Sequence, residues 1–184
     1  MQRLQAVFLD RDGTIGGDGH FIHPRDFELF PFSLNAIGRL KKKGLLVFAF
    51  TNQHRIARGQ ADEADFVRQF AAYGFDGSYI CPHAADAGCN CHKPKPGMLL
   101  KAAREHGLDL TRCAVIGDVG STDMLAAAAV GAVKIMVLTG WGKTSLEQYK
   151  DNWYDVARPD YIATDLADAV NWLAAQSVED GDRL

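Results

Sequence analysis

Apolar residues in this chain fall into short blocks of two alternating kinds. The runs at 4–9, 45–50, 78–80, 113–116 and 133–138 are short and nearly unbroken, as in strands covered on both faces. Between them, apolar positions recur every third or fourth residue, the spacing of a helix with one buried side. Leu34, Ile37 and Leu40 mark a helix introduced by Pro31 and Ser33. Lys41, Lys42 and Lys43 complement its C-terminal dipole, and Gly44 ends it. A second helix over about 61–73 turns Phe66, Phe70 and Tyr73 inward. A third, opened by Pro96, carries Met98, Leu99 and Ala102 and stops at Gly107. An alanine-rich helix follows at 121–130, able to lie close to a sheet, and the last runs over 165–175. Two stretches lack periodicity. The first, 15–26, is rich in glycine and reads as a loop folded over the end of the first strand. The second, 139–159, holds Trp141 and Trp153 and follows what reads as the last strand.

Strands alternating with helices predict an α/β protein, a Rossmann-like three-layer α/β/α sandwich around a mainly parallel sheet. No repeat or second boundary interrupts the alternation, so 1–184 reads as one domain. No insertion between the blocks is long enough for a large cap domain. The chain is 47% hydrophobic and 23% charged with a formal net charge of −3, which is ordinary for a globular protein. Lys41-Lys42-Lys43 is the longest basic run and belongs to a helix end, so no nucleic-acid partner is expected. No apolar run approaches the length of a membrane span, and the N-terminus lacks the layout of a signal peptide. A cytoplasmic monomer with no membrane partner is therefore expected, its thiols reduced.

That compartment changes the reading of the cysteines. Cys81, Cys89 and Cys91 lie close together with His83, and in a reducing setting such clustering points to metal before a disulfide. Three thiolates and an imidazole are enough to close a tetrahedral Zn²⁺ site, a staple for the loop at about 81–92 with no open position for catalysis. Cys113, inside a strand, reads as a buried apolar residue.

The remaining candidate chemistry follows the strands. Asp10 and Asp12 stand just past the first run, at the edge where open α/β sheets bind ligands. Alone, such a pair is more often an acidic turn than a site; a Mg²⁺ ion with an anionic substrate would relieve the repulsion between the two carboxylates. Thr51, Lys93, and Asp118 with Asp123 follow later strands. On one sheet edge this set supplies a nucleophile, a proton shuttle, a hydroxyl, an ammonium and further carboxylates, which is what phosphoryl transfer requires.

The ordered motifs Asp10-Arg11-Asp12-Gly13-Thr14, Thr51, Lys93, and Gly117-Asp118 with Asp123 resemble the haloacid dehalogenase superfamily. Thr51-Asn52-Gln53 with Ile56-Ala57-Arg58-Gly59, Cys81-Pro82-His83, and Cys89-x-Cys91-x-Lys93-Pro94-x-Pro96-Gly97-Met98 narrow the resemblance to its heptose-bisphosphate and histidinol-phosphate phosphatases. The resemblance implies that Asp10 forms an aspartyl-phosphate and that Asp12 acts as acid and then base. It implies Mg²⁺ held by the Asp10 side chain, the Asp12 carbonyl and the Asp118 side chain, with Asp123 buttressing the site. It gives Thr51 and Lys93 the phosphoryl group, and a structural zinc to Cys81, His83, Cys89 and Cys91. Asn52, Gln53, Arg55 and His92 become the expected substrate-binding residues. Two positions depart from the subgroup: His92 replaces an arginine, and His54-Arg55 replaces a Ser-Gly pair. Arg55 is thus expected to take over part of the anion recognition. The implied activity is Mg²⁺-dependent hydrolysis of a small phosphorylated metabolite, such as a heptose bisphosphate, with histidinol phosphate as the alternative. A zinc-stapled binding protein without turnover is the reading from another class, and it leaves Asp12 without a purpose.

Overall fold

The computed structural model describes residues 3–179. In chain order they form β1 (Ala6–Leu9), α1 (Ser33–Lys42), β2 (Leu46–Asn52), α2 (Glu63–Ala72), β3 (Gly77–Cys81) and α3 (Gly97–His106). There follow β4 (Cys113–Gly117), α4 (Leu125–Ala128), β5 (Val133–Val137), α5 (Gly142–Glu147), α6 (Tyr154–Ala157), β6 (Tyr161–Ala163) and α7 (Leu166–Glu179). The six strands form one sheet in the order β3-β2-β1-β4-β5-β6, every pairing parallel. This is the Rossmann-like architecture expected, with no large cap among the described residues.

Strand parity creates the three layers, because successive side chains point to opposite faces. Val7, Leu9, Val47, Ala49, Ala114 and Ile116 face α1, α2 and α7, meeting Ile37, Leu40, Phe66, Phe70, Leu166 and Val170. Ala6, Phe8, Phe48, Phe50 and Val115 face the other way, onto Met98, Leu99 and Ala102 of α3 and the alanines of α4. With both faces covered, β1 and β4 are wholly buried, which is why they appear as unbroken apolar runs.

Several local expectations need correction. The buried stripe of α1 is Ser33, Ala36, Ile37 and Leu40, and Leu34 is 55% exposed. A serine can begin that stripe because its Oγ donates to the Ile15 carbonyl at 2.8 Å. Tyr73 packs against the core as expected, but from the cap position just past α2, where it is half-buried. The stretch 121–130 does not begin as an α-helix: Gly120–Met124 is a π turn, and only then does α4 follow. A Cβ on Gly120 would stand 2.0 Å from the ring of Trp153, which is buried against it, so the wider turn makes room for the indole. The stretch 139–159 contains α5 and α6, and a sixth strand follows it. β6 has one fully buried residue, Ala163, and too short a run to show a period. Its anchorage comes from elsewhere, from the Leu138 amide donating to the Ala163 carbonyl and from Tyr161 stacked on Trp172. Cys113 is buried as expected.

Candidate active site

The chain leaves β1 toward β2 and β3 on one side and resumes at β4 on the other, so the strand order reverses between β1 and β4. Loops leaving these two strands diverge and open a crevice at their C-terminal ends. Because the strands are parallel and in register, Leu9 opposite Ile116, the acidic residues that follow them emerge together. The Asp10 amide donates to the Ile116 carbonyl at 3.0 Å and extends that register one residue past β1. Asp10, Asp118 and Asp123 are all buried, and each offers a carboxylate oxygen within 4.8 Å of the others.

A cluster of three buried acids needs positive charge, and Lys93 supplies some of it. Its ammonium donates to Asp10 Oδ1 at 2.7 Å, Asp123 Oδ1 at 2.6 Å and the Phe50 carbonyl at 3.0 Å, which uses its three donors. Burial works to lower the Lys93 pKa, but Asp10 and Asp123 outweigh it and hold the ammonium above its ordinary value. Asp123 Oδ2 also accepts from the Val119 amide at 3.1 Å. Burial pushes the Asp123 carboxyl up to about 6 against the pull of Lys93, with Asp10 adding to the rise. Asp118 is less well served. Its Oδ2 accepts from the Trp141 amide at 2.7 Å, while its buried Oδ1 has no hydrogen-bond partner among the described residues. Burial, then Asp10 and Asp123, raise its pKa well above the usual carboxylate range. Hard divalent cations such as Mg²⁺ take oxygen ligands. A carboxylate oxygen left unpaired among like charges fits that kind of ion. The same crowding explains Gly13, whose φ is +88° and where a Cβ would lie 2.1 Å from Asp118 Oδ2.

Asp12 is held on both oxygens, by the Arg11 guanidinium at Oδ1 and by Gln53 Nε2 at Oδ2, 2.6 Å away. Burial pushes its carboxyl up to about 6 despite Arg11, with Asp10 contributing to the rise. Such a value lets one group both give and take a proton near neutral pH. Gln53 Nε2 also donates to Thr51 Oγ1 at 2.9 Å, which leaves the threonine hydroxyl free to donate. Asp10, Asp12, Thr51, Asn52, Gln53, Lys93 and Asp118 line one cleft of about 200 Å³.

Arg55 and His92 are not in the walls of that cleft. After Gln53 the chain enters a short helical turn, Ile56–Arg58, and Arg55 donates to Gln60 Oε1 at 2.9 Å. It lies 5.6 Å from the ring centre of Phe21. His92 contacts the Lys93 carbonyl and Asn52. In their place the walls hold Gly19, Phe21, His54, Val119 and Thr122, none of which the sequence reading had named as site residues. His54 could have been found by its position beside Gln53. Phe21 lies in a loop without periodicity and gave no signal.

The cysteine–histidine loop forms a compact cluster. Cys81 Sγ stands 3.7 Å from Cys89 Sγ, 3.3 Å from Cys91 Sγ and 3.7 Å from His83 Nδ1, and His83 Nδ1 stands 3.1 Å from Cys91 Sγ. Around a tetrahedral zinc, thiolate sulfurs at about 2.3 Å would be separated by about 3.8 Å, and a sulfur from an imidazole nitrogen at about 2.05 Å by about 3.6 Å. The donor set and its spacing thus fit a closed tetrahedral metal site. Asn52, at the end of β2, brackets the next segment, accepting from the Lys93 amide at 3.0 Å and donating to its carbonyl at 3.3 Å.

A family model described as HAD-hydrolase-like matches residues 90–169, from the end of this loop to the start of α7. With that match, the sheet order and the curated relatives below, the chain belongs to the haloacid dehalogenase-like phosphatases. More narrowly, it is 40% identical to the D-glycero-beta-D-manno-heptose-1,7-bisphosphate 7-phosphatase of Photorhabdus laumondii, with 76% of this chain and 83% of that protein covered. It is 36% identical to the enzyme of the same name from Pasteurella multocida, with 89% and 94% covered. Among solved structures it is similar to a D,D-heptose 1,7-bisphosphate phosphatase from B. bronchiseptica complexed with magnesium and phosphate. There the TM-score is 0.80 at 33% identity, over 94% of this chain and 99% of that one. Among the described residues, no helix is long and apolar enough to cross a membrane.

Proposed function

We propose that this chain is a Mg²⁺-dependent phosphomonoesterase that acts on a phosphorylated sugar of the heptose bisphosphate class through an aspartyl-phosphate. The observation that carries the reading is the convergence of Asp10, Asp118 and Asp123 with Lys93 at the switch point, with one Asp118 oxygen buried and unpaired. Asp10 is the nucleophile because it sits at the tip of the central strand, beside a fixed ammonium that offsets the approach of an anionic ester. Attack by its carboxylate on phosphorus forms the acyl phosphate as the ester oxygen departs. Asp12, poised near 6, protonates that oxygen and then takes a proton from the water that cleaves the acyl phosphate. Thr51 donates its free hydroxyl to a phosphoryl oxygen, and Lys93 spreads its charge over Asp10 and the transferring group. Asp10 and Asp118, with the Asp12 carbonyl, would hold Mg²⁺, which supplies charge neutralisation and orientation when bound. Asp123 supports Lys93 and the Val119 amide. Cys81, His83, Cys89 and Cys91 would hold a structural zinc.

The substrate class is supported by relatives of similar length that carry the heptose bisphosphate name, and by a cleft whose walls add Phe21 and His54 to the residues proposed for the phosphoryl group. Phosphate release should be measured from D-glycero-beta-D-manno-heptose 1,7-bisphosphate and from a panel of other sugar phosphates, with and without Mg²⁺. The bisphosphate should give the highest kcat/KM, the reaction should need Mg²⁺, and Asp10→Asn should abolish it in a folded protein. Phosphate release by Asp10→Asn at the parent rate would mean that the nucleophile is another group.

A further inference from the structure

Arg11 lies between the two aspartates at the end of β1 and is fully buried. An arginine keeps its proton in such a place, so its charge has to be met there. Three partners meet it from three parts of the fold. Nη1 donates to Asp12 Oδ1, Nη2 to the Ile22 carbonyl at 2.9 Å, and Nε to Gln69 Oε1 of α2 at 3.0 Å. The guanidinium lies 3.7 Å from the ring centre of Phe27 and 5.0 Å from that of Phe66, which hold its plane. Gln69 in turn donates Nε2 to the Pro24 carbonyl at 2.7 Å. Ile22 and Pro24 belong to the stretch 15–26 after Asp12, and Phe27 follows it directly; the same stretch puts Phe21 in the cleft wall.

A carboxyl on a single methylene can rotate, and proton transfer to a departing oxygen requires it to face one way. From the geometry we infer that Arg11 is a positioning residue: it fixes the plane of the Asp12 carboxyl and ties the loop bearing Phe21 to it, so that acid and cleft wall form one unit. The role rests on the reading of Asp12 as the acid. A lysine could keep the charge, but a single ammonium cannot serve three partners set around a planar fork.

The test compares kcat/KM for p-nitrophenyl phosphate and for a simple alkyl phosphate in the parent, Arg11→Lys, Gln69→Met and Asp12→Asn. This ratio covers steps only through loss of the leaving group, so hydrolysis of the aspartyl-phosphate does not enter. Nitrophenolate leaves without a proton, whereas an alkoxide needs one, and general acid catalysis is worth about 10²–10⁴-fold. Arg11→Lys should therefore lose roughly tenfold more on the alkyl ester than on the nitrophenyl ester, a tenth or less of the acid's full worth. Gln69→Met, which leaves the charge in place, should show the same bias to a smaller degree, and it decides the matter if Arg11→Lys does not fold. Equal losses on the two esters in these variants, with Asp12→Asn still selective, would reduce Arg11 to a structural role. Equal losses in Asp12→Asn as well would overturn the acid assignment itself.

Discussion

Replacing Lys93 with methionine removes the positive charge from the buried acids while keeping most of the side-chain volume. Three hydrogen bonds vanish at once, to Asp10, Asp123 and the Phe50 carbonyl, in a place where the lysine is 3% exposed. Removing one partner of a buried ion pair costs about 3–5 kcal/mol, because the other charge stays behind without compensation. In a domain of this size about 1 kcal/mol corresponds to roughly 2–4 °C, so the melting temperature should fall by about 10 °C without added Mg²⁺. The loss should also depend on pH. Asp123 already has its folded pKa raised from 3.8 to about 6, and Lys93 is the strongest influence holding it down. Without the lysine it rises further. A raised carboxyl contributes stability that is fully present below the unfolded pKa and is lost as pH rises through the folded value. The deficit of Lys93→Met should thus be small near pH 4.5 and grow through pH 6 to 7.5. Urea unfolding at several pH values, without added Mg²⁺ and with zinc retained, measures it. A deficit under about 1 kcal/mol at pH 7.5, or one that does not change with pH, would refute the claim that this ammonium offsets buried like charge.

Two further outcomes follow from the same site. Asp118→Asn keeps an oxygen for the Trp141 amide and replaces the unpaired Oδ1 with a neutral donor. The variant should melt a few degrees above the parent without Mg²⁺. It should also lose the stabilisation, about 2.7 kcal/mol at a hundredfold excess over Kd, that Mg²⁺ gives the parent, and turnover should drop about a hundredfold or more. Stripping zinc with a chelator, followed by return of Mg²⁺ alone, should lower turnover while the sheet stays folded by circular dichroism, and zinc should restore it. Full activity in a folded sample shown by elemental analysis to lack zinc would separate the cysteine cluster from the delivery of Lys93.

The sequence was most legible where physical constraint is strictest. A strand buried on both faces has to be an apolar run, so β1, β2 and β4 could be read within two residues of their ends, and with them the strand tips that carry Asp10, Thr51 and Asp118. Legibility failed where a contact distant in sequence decides the local conformation. Leu34 fits a helical stripe in isolation, but a carbonyl from residue 15 selects Ser33 for the inner face. The turn at Gly120–Met124 is set by the indole of Trp153, far along the chain. Arg55 shows the same limit in the site. The departure from the subgroup pattern makes it an expected anion-binding residue, whereas the short turn after Gln53 directs it to Gln60 and its neighbour His54 lines the cleft.

Lys93 poses the harder positional problem, because no strand or helix carries it. β3 ends at Cys81 and α3 begins at Gly97, and the lysine must reach the acids from the irregular chain between them. Fixing a lysine side chain costs up to about 2 kcal/mol of conformational entropy, on top of the cost of ordering the loop. Three ties remove much of that cost before any ligand arrives. The cysteine–histidine cluster closes the loop at one end. Asn52 grips the lysine's own amide and carbonyl from the tip of the adjacent strand. At the far end Gly97 donates to the Asn90 carbonyl at 3.0 Å, an approach that any Cβ would block at 2.1 Å. The cysteine–histidine cluster, Asn52 and Gly97 thus do for Lys93 what the sheet does for Asp10 and Asp118. The separation of the cysteine–histidine cluster from the cleft is then no obstacle to a role in catalysis, since what it governs is where one ammonium stands.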